Sequence, residues 1–488
     1  MGDQALKKSP RAITPTLKIL SLPLLFLLTT ACKSDGSGGS PKGSEDPPPA
    51  EEVEEIQSGY VVQIQTPTSV STVPRTLAGA NFLATRDRLE GTFGPRAEEL
   101  DVTLLRWPGG GLTETWEDFL NAYIVDAHAR DWSTFSHEEP WSLEAFLEWT
   151  DDRDIVPTVV LPIKRYVSEN GETVDLERMG KELGAFVHQA TSGRFGPQEV
   201  LLWELGNEFF WGEARMSAEV YTQICTYLLP ILQENAAYPI QIGIQAGRLG
   251  DSQIGRVADG FSDEQKDQVG FLIDHIYPRN FEWDTYDSRF RLYQVHWGDK
   301  PVYISEWNQK SDGSGDPSDF AWGIEQPAPM LRAWDSMVRN NVEYGAFWAI
   351  QQNNYTSAYA REGEHPEMAP YIGGVMFDWL TDTVGMEQLD AIQLGQSGLY
   401  ASAYRSGGDL TIFVAGLEAG EQQVHIDIPG YNITSREGIR MSGERDVRRQ
   451  TPVLDQMSPL VSGETITFTV NSKSEQELVR IKLAGYWD

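Results

Sequence analysis

The sequence predicts an α/β fold: a (β/α)8 TIM barrel over residues 75–393, with an accessory antiparallel β-sandwich at the C-terminus over residues 394–488. Short β-branched or apolar runs alternate with helical or loop segments, as in parallel strands that crossover helices connect. There are eight such runs, the number of strands in this barrel. After about residue 394 the runs alternate in polarity, which is typical of an antiparallel sandwich.

The barrel elements follow from the spacing of apolar residues. The eight predicted strands are Leu77–Asn81, Val102–Trp107, Ile155–Leu161, Val200–Trp203, Ile240–Gln245, Phe271–Ile276, Val302–Ser305 and Tyr344–Ile350. Three- and four-residue spacing predicts helices at Leu143–Trp149, Met179–Gln189, Ala218–Gln233 and Met330–Val338.

The accessory domain is predicted from strands whose residues alternate in polarity. These strands are Leu399–Tyr404, Leu410–Ala415, Gln423–Ile428, Thr465–Val470 and Leu478–Leu483. An earlier strand, Tyr60–Ile64 within residues 56–74, precedes the barrel. We expect it to pair into the sandwich, because an isolated strand would leave its edge unpaired. We expect the sandwich to support the barrel structurally.

The chain is strongly acidic, since 39 Lys and Arg oppose 72 Asp and Glu to give a net charge of −33 at pH 7. Nucleic-acid binding draws its affinity from Lys and Arg that neutralise phosphates, so no nucleic-acid partner is expected. Such a charge keeps an exported protein soluble and repels anionic polymers at long range.

The N-terminus has the features of an export signal. Residues 1–31 combine basic residues with the apolar run Ile19–Leu28, which is too short to span a membrane. Small residues directly before Cys32 resemble a bacterial lipoprotein processing site, which implies cleavage before Cys32 and lipidation of its sulfur. Ordinary cleavage beside an incidental cysteine is the alternative.

Residues 32–55 are rich in Gly, Ser, Pro, Asp and Glu, a composition that predicts a disordered tether. We therefore expect an exported protein, lipid-anchored to the bacterial outer membrane or cell surface, that meets the membrane only through this anchor. The only other cysteine, Cys225, lies in a helical stretch and is expected to be a buried apolar residue.

Two predicted strands are followed by glutamates at the end where barrel enzymes build their sites. Strand four ends in Trp203–Glu208 and strand seven in Tyr303–Asn308, so Glu208 and Glu306 face one mouth. Cleavage of a glycosidic bond needs such a pair, with one carboxyl protonated and the other ionised. The sequence therefore predicts a site for glycoside hydrolysis.

Together these segments resemble clan A of the glycoside hydrolases, whose members retain the configuration of the reacting carbon. Arg106–Gly110, Gly206–Glu208 and Glu306–Asn308 are most similar to the α-L-arabinofuranosidases of family 51, and His275-x-Tyr277 after strand six fits as well. The resemblance covers the whole predicted barrel. It implies a carbohydrate substrate and no cofactor.

The resemblance also implies a role for individual residues. Glu208 is the expected acid/base, Glu306 the expected nucleophile, and Asn207 the expected partner of the sugar hydroxyl next to the reacting carbon. Trp348, near the end of strand eight, is the expected platform on which a sugar ring stacks. Trp307 is expected to bind substrate or to support the site.

Physical chemistry gives independent expectations for both carboxylates. Arg106 and the Tyr277 hydroxyl are expected to favour the ionised form of Glu306. The charge of Glu306 and the aromatic surroundings that Trp211 provides are expected to raise the pKa of Glu208.

For several of these residues a purely structural role is an alternative interpretation. Glu204 is expected to lie inside the barrel, paired with a buried cation. Arg106 is either a functional residue or only such a partner, and His275 is either a functional residue or a hydrogen-bonded core histidine. Packing roles are expected for Trp116, Trp141 and Trp149.

Departures from the family pattern concern the substrate. Gly111-Leu112 replaces an expected Asn-aromatic pair, and Phe209-Phe210 replaces polar residues at positions expected to flank the sugar. An endo-acting clan A glycanase resembling agarases, galactanases or xylanases is thus an alternative to an arabinofuranosidase. Plant or algal polysaccharides, with neutral sugars, are the expected substrates.

The sequence disfavours two other classes of protein. A non-catalytic surface lipoprotein that only binds glycans has no reason to keep both glutamates with Asn207, Arg106 and Tyr277. A metal-dependent hydrolase is disfavoured, because the seven histidines are scattered and none forms a spaced ligand pair, so no metal is expected.

Overall fold

The structure is a computed structural model. It describes residues 59–84, 87–115, 142–212, 214–247, 251–278, 283–309, 323–352, 356–361, 369–394, 398–417, 420–444, 447, 449–472 and 477–487. The predicted export signal, Cys32, the predicted tether and two of the tryptophans expected to pack, Trp116 and Trp141, lie outside the described residues.

The chain enters the described region through strand β1 (Tyr60–Thr72), which belongs to the accessory sheet. Eight parallel strands then close into a barrel in sequence order, and the last pairs with the first. They are β2 (Gly79–Asn81), β3 (Leu104–Trp107), β4 (Val156–Leu161), β5 (Leu202–Leu205), β6 (Gln241–Gln245), β7 (Phe271–Ile276), β8 (Val302–Trp307) and β9 (Tyr344–Phe347). The predicted α/β barrel is confirmed.

Helices surround the barrel, and several begin where the sequence supplies a capping hydroxyl. They are α1 (Phe93–Glu99), α2 (Leu143–Asp151), α3 (Leu176–Thr191), α4 (Ala218–Asn235), α5 (Asp251–Asp259), α6 (Asp263–Gln268), α7 (Trp283–Trp297), α8 (Pro327–Arg339) and α9 (Ile372–Thr381). The hydroxyls of Ser142 and Ser217 accept the third backbone N–H of α2 and α4, which fixes where these helices start. Among the described residues, none of the helices has the length and apolar character to cross a bilayer.

The accessory domain is one large curled sheet, mostly antiparallel, that closes over its own apolar core. Its later strands are β10 (Glu387–Leu394), β11 (Leu399–Ser406), β12 (Asp409–Gly416), β13 (Gly420–Asp427), β14 (Tyr431–Ser442), β15 (Val453–Met457), β16 (Leu460–Ser462), β17 (Thr465–Ser472) and β18 (Leu478–Trp487). Strand β1 lies between β10 and β13, antiparallel to the first and parallel to the second. Because β10 starts at Glu387, the sheet begins before residue 394, where its start was predicted.

The barrel and the sheet share a buried polar contact. Asp335 of α8 is 1 % exposed and accepts hydrogen bonds from the hydroxyls of Tyr400 (2.6 Å), Ser402 (2.7 Å) and Tyr404, all on β11. Burial raises the pKa of Asp335, whereas these three hydroxyl groups favour its ionised form. The contact joins helix α8 of the barrel to strand β11 of the sheet through buried hydrogen bonds.

Alternation along the strands divides the barrel residues into two sets. Outward residues such as Trp107 and Trp203 pack against the helices in the main core. Inward residues such as Leu104, Leu202 and Phe271 form an apolar layer at the bottom of the barrel. The inward positions that follow Leu104 and Leu202 are Arg106 and Glu204, and these charged residues begin the candidate site. The predicted packing role of Trp149 on α2 is confirmed, as is that of Cys225, whose thiol is buried and free.

Candidate active site

Arg106 is the centre of the polar layer inside the barrel. It lies two residues after Leu104 on β3, so its side chain points inward, and it is fully buried. Glu204, two residues after Leu202 on β5, is also fully buried and accepts a hydrogen bond from Arg106 Nε at 2.9 Å. The predicted pairing of Glu204 with a buried cation is confirmed.

The remaining nitrogens of Arg106 connect it to the mouth of the barrel. Nη1 donates to Glu306 Oε1 at 2.9 Å and to Asn81 Oδ1 at 3.1 Å, and Nη2 donates to Asn207 Oδ1 at 2.9 Å. Burial lowers the pKa of Arg106, but Glu204 and Glu306 outweigh it and raise the pKa above its ordinary value. Arg106 therefore stays cationic and fixes the side chains of three strand ends relative to one another.

A β-bulge gives Glu306 its direction. In the pairing of β7 with β8, Asp274 lies opposite Ile304 but His275 lies opposite Glu306, so Ser305 is an extra residue. Such a bulge turns a strand locally and re-aims its side chains. Ser305 and Glu306 thus both contact residues of the site, whereas Trp307 faces the helices.

Glu306 is held by donors on two sides. Its side chain is 7 % exposed, with Oε1 on Arg106 and Oε2 accepting from the Tyr277 hydroxyl at 2.7 Å. His275 Nδ1 lies 3.5 Å from the same Oε2. Burial raises the pKa of Tyr277, and the charge of Glu306 raises it further, so the phenol remains a donor. Both oxygens of Glu306 are thus hydrogen-bonded at the mouth of the barrel, which fixes the direction of its side chain.

Glu208 reaches the site from a tight turn after β5. Gly206 and Glu208 both have left-handed backbone angles, φ +74° and +44°, and a side chain at Gly206 would collide with Ile163. The Glu208 side chain is 30 % exposed, and its Oε1 lies 3.1 Å from His275 Nδ1. Glu208 is thus the more solvent-accessible of the two glutamates.

The expectation that the pKa of Glu208 is raised is wrong. Burial raises the pKa, but the hydrogen bond and the positive charge of His275 lower it by more, and the net pKa lies below the ordinary value. For His275, burial lowers the pKa, but the charge of Glu306 and the hydrogen bond to Glu208 raise it overall. These opposite shifts favour the imidazole over the Glu208 carboxyl as the holder of the proton in this pair.

His275 is itself held from behind. Its Nε2 lies 3.1 Å from Ser305 Oγ, and its backbone N–H donates to Asp274 Oδ1 at 2.8 Å. The other oxygen of Asp274 accepts from Arg289 and from the Tyr293 hydroxyl, both on α7. His275 is therefore more than a core histidine, because its ring nitrogens join Glu208 to strand β8.

Two aromatic residues lie at different depths around the glutamates. Trp348 packs over Gly110, where an added Cβ would lie 2.5 Å from the indole and 3.4 Å from Glu306 Oε1. Trp211 is 61 % exposed, and its backbone N–H donates to the Glu208 carbonyl at 2.9 Å. Trp348 therefore borders the inner part of the site and Trp211 its outer rim.

Two aromatic residues lie away from the mouth. Trp307 is fully buried against Trp334, Phe347 and Phe377, so a supporting role is the one that its position allows. The expectation that Phe209 flanks the sugar is wrong, because its ring is fully buried and stacks on Tyr221 at 4.1 Å.

Sequence reasoning missed three residues of the site. Asn81 donates to the Ser305 carbonyl at 2.9 Å and accepts from Arg106, and its signal was a polar residue at the inward end of the first barrel strand. Ser305 was visible in the motif but needed the bulge to reach His275. Glu114 follows β3 in the turn Gly110–Thr115 and accepts three backbone N–H groups, which no sequence signal indicates.

The described residues contain no group of three or more His, Cys, Asp or Glu side chains arranged to hold a metal ion. The polar groups that converge on the mouth include the carboxylates of Glu208 and Glu306, the imidazole of His275, the guanidinium of Arg106, the amide of Asn207 and the phenol of Tyr277. These groups can transfer protons, stabilise positive charge and attack an electrophilic carbon.

No protein-family model and no curated protein matches this sequence. Solved structures do match. The GH51 arabinofuranosidase from Xanthomonas axonopodis pv. citri has a TM-score of 0.66 at 12 % identity, covering 87 % of this chain and 99 % of that one. An α-L-arabinofuranosidase from Thermotoga maritima has a TM-score of 0.59 at 13 % identity, with 87 % and 100 % covered.

A structure of another family has the same architecture. A GH30 endoxylanase from Clostridium papyrosolvens has a TM-score of 0.57 at 12 % identity, covering 88 % of this chain and 100 % of that one. At such identities the likeness establishes the fold. The chain therefore has the barrel-and-sandwich fold of GH51 arabinofuranosidases and GH30 xylanases, the clan that its motifs resemble.

Proposed function

We propose that this protein is a retaining glycoside hydrolase that cleaves plant or algal polysaccharides or oligosaccharides by double displacement. The observation that carries the proposal is the arrangement of Glu208 and Glu306 around His275 Nδ1, at 3.1 Å and 3.5 Å. One carboxylate is fixed and buried, and the other is more exposed and coupled to a proton carrier. These are the two roles that the reaction requires.

The spacing of the two carboxylates supports retention. Glu208 Oε1 and Glu306 Oε2 both lie close to the same atom, His275 Nδ1. The separation of these two oxygens therefore cannot exceed the sum of their distances to that nitrogen. That limit only reaches the lower end of the separation in inverting enzymes, roughly 6.5–9.5 Å, which must fit a water molecule between the carboxylates. A retaining enzyme needs no such water during the first step.

In the first step, Glu306 attacks the anomeric carbon and forms a covalent ester as the bond to the leaving oxygen breaks. Glu208 gives its proton to that oxygen. In the second step, Glu208 takes a proton from water, the water oxygen attacks the anomeric carbon, and Glu306 is released as a carboxylate. Two inversions restore the original configuration.

The His275–Glu208 pair supplies the proton of the first step. Binding of a sugar displaces water from Glu208, which is 30 % exposed when the site is empty, and desolvation favours its neutral form. The proton then passes from His275 Nδ1 to Glu208 and on to the leaving oxygen. His275 thus keeps the proton to a higher pH than an ordinary histidine does, while its hydrogen bond and charge lower the pKa of Glu208.

The proposed substrate class is that of an α-L-arabinofuranosidase, from the likeness of the motifs. Arg106 orients Asn207 by binding its Oδ1, which leaves the Nδ2 group to donate to a sugar hydroxyl. Trp348 and Trp211 are the proposed stacking surfaces on the inner and outer sides.

One observation favours an endo-acting glycanase as the second candidate. Gly111 stands where the family pattern has Asn, and a Cβ added there would meet nothing within 4 Å. As far as the described residues go, the space beside Gly111 is therefore open, as a chain that continues in both directions requires.

Export and anchoring complete the proposal. Cys32 carries the lipid, residues 32–55 form the tether, and the enzyme acts from the outer membrane or cell surface on a carbohydrate. No cofactor takes part in the proposed chemistry.

A panel of nitrophenyl glycosides and intact polysaccharides tests the function. Arabinofuranosides cleaved from chain ends support the first candidate, and internal cleavage of a polymer supports the second. Binding of glycans with no hydrolysis of any member, in protein whose folding is verified, would favour the non-catalytic alternative.

A further inference from the structure

Glu114 connects three of the loops that form the mouth of the barrel. It lies in the turn Gly110–Thr115 after β3, and its carboxylate is mostly shielded from solvent. Oε2 accepts the backbone N–H groups of Ile163 and Lys164, at 3.0 and 2.8 Å, from the loop after β4. Oε1 accepts the backbone N–H of Asn207, at 3.3 Å, from the loop after β5.

The N–H that Glu114 binds belongs to the residue between two left-handed positions. Gly206 adopts φ +74° at little cost, but Glu208 adopts φ +44°, which an L-residue with a side chain avoids. Such a conformation persists only where the surroundings hold it. The backbone N–H of Asn207 donates to Glu114 Oε1, that of Trp211 donates to the Glu208 carbonyl, and that of Gly206 donates to the Leu161 carbonyl, so these hydrogen bonds restrain the turn.

We propose that Glu114 is a positioning residue that holds the Gly206–Glu208 turn so that the Glu208 carboxyl faces the leaving oxygen of the substrate. The inference rests on the proposed function for the identity of the step that Glu114 assists. Its structural part, that Glu114 restrains the turn, stands independently of the activity.

A change in the position of Glu208 has a specific kinetic consequence. Protonation of the leaving oxygen matters when the leaving group is poor and contributes little when it is a stabilised phenolate. Loss of Glu114 therefore steepens the dependence of kcat/KM on the pKa of the leaving phenol. General damage to the fold would lower all of these rates by the same factor.

Glu114→Gln is the sharpest variant, because it is isosteric. If its amide oxygen keeps the contacts to Ile163 and Lys164, the amide NH2 faces the Asn207 N–H, and two donors cannot bond. Glu182→Gln is the matched control. Glu182 binds Tyr166 of the turn Lys164–Tyr166, at 2.8 Å, but does not contact Asn207.

The experiment measures kcat/KM for a series of aryl glycosides, from 2,4-dinitrophenyl to phenyl, of the sugar that the wild-type enzyme hydrolyses. In Glu114→Gln we expect the phenyl glycoside to lose at least about tenfold more than the dinitrophenyl glycoside. Glu208→Ala sets the steepest slope and Glu182→Gln keeps the wild-type slope. A parallel fall for all members, or no fall, would overturn the proposal. If Glu114→Gln does not fold, Glu114→Asp, which withdraws the oxygen from Asn207, is measured with the same criterion.

Amide hydrogen exchange of the peptide that contains Asn207 provides a readout without substrate. We expect faster exchange in Glu114→Gln than in wild type and Glu182→Gln. Unchanged exchange overturns the restraint itself. If the wild-type enzyme cleaves no glycoside but the exchange rate rises, the proposed function fails while the restraint by Glu114 stands.

Discussion

His275 Nδ1 lies 3.1 Å from Glu208 Oε1 and 3.5 Å from Glu306 Oε2, so one imidazole nitrogen faces both glutamates. The pKa of Glu208 is lowered and that of His275 is raised by this contact, although burial opposes both effects. The pair consequently keeps one proton to a higher pH than Glu208 alone would.

This relationship predicts the basic limb of the pH profile. In wild type, kcat/KM should fall as the pH rises through the raised pKa of His275, because the pair then loses its proton. In His275→Gln only Glu208 holds a proton, and a carboxyl ordinarily releases it about two units below a histidine. The basic limb should therefore move to lower pH by about one unit or more. The control is His188→Gln, at an exposed histidine. If the basic limb of His275→Gln lay at the same pH as that of the control, the proton-storage role of His275 would be contradicted.

The buried network around Arg106 predicts a large effect on stability. Arg106→Met leaves Glu204 inside the barrel without its partner, which should cost about 3–5 kcal/mol in the free energy of unfolding. The double variant with Glu204→Gln removes the stranded charge and should recover part of the loss. Arg75→Ala, which breaks a surface pair with Asp154, should cost about 0–1 kcal/mol. If urea denaturation showed the same loss of unfolding free energy for Arg106→Met as for Arg75→Ala, the stabilising role of the Arg106 network would be contradicted.

Asn207 is predicted to act in the transition state. Arg106 fixes its Oδ1, so the Nδ2 group should bind the sugar hydroxyl more strongly as charge develops at the neighbouring carbon. Asn207→Ala should lower kcat and kcat/KM together, by about tenfold or more. Steady-state kinetics test this, with the exposed Asn170→Ala as control. A change in KM alone would reject the assignment.

Cys32 is predicted to be the membrane anchor. Cys32→Ala should release the protein from membranes without loss of specific activity, because residues 32–55 separate the lipid from the barrel. Detergent partitioning and the activity of both fractions are measured, with Cys225→Ala as a control that keeps the anchor. Partitioning unchanged in Cys32→Ala would reject the lipoprotein proposal.

The barrel was predictable because each of its strands is a local apolar run. The bounds of a strand differ from the prediction where strand pairing decides them. Val200–Trp203 was predicted, but the observed strand is Leu202–Leu205, because Leu202 is the first residue that pairs with β4. Helix α9 (Ile372–Thr381) escaped prediction because it is buried almost all round and lacks an amphipathic pattern. Strand β14 (Tyr431–Ser442) escaped because consecutive residues in its middle, Thr434–Glu437, are exposed on both faces, so its polarity does not alternate.

The site was predictable where its residues sit in contiguous motifs at strand ends, as Glu208 and Glu306 do. What sequence could not supply were contacts between distant segments. The bulge at Ser305 becomes visible only when β8 pairs with its neighbours β7 and β9. Glu114 reaches Asn207 across 93 positions of the chain. The pKa of Glu208 depends on a histidine from another strand, so its direction required the structure.

The roles of the two glutamates are tested most directly by the stereochemistry of azide rescue. In Glu306→Ala the nucleophile is missing, so azide should attack the anomeric carbon of an activated substrate once and give a glycosyl azide of inverted configuration. In Glu208→Ala the nucleophile remains, so the covalent ester forms and waits for a base that is absent. Azide needs no deprotonation and should release that ester as a glycosyl azide of retained configuration.

The measurement is the anomeric configuration of the two azide products by NMR, with Glu182→Gln as a control that should give only the hydrolysis product. We predict opposite anomers from Glu306→Ala and Glu208→Ala. The same anomer from both variants, or wild-type activity of either on a natural substrate, would contradict the assignment of Glu306 as nucleophile and Glu208 as acid/base.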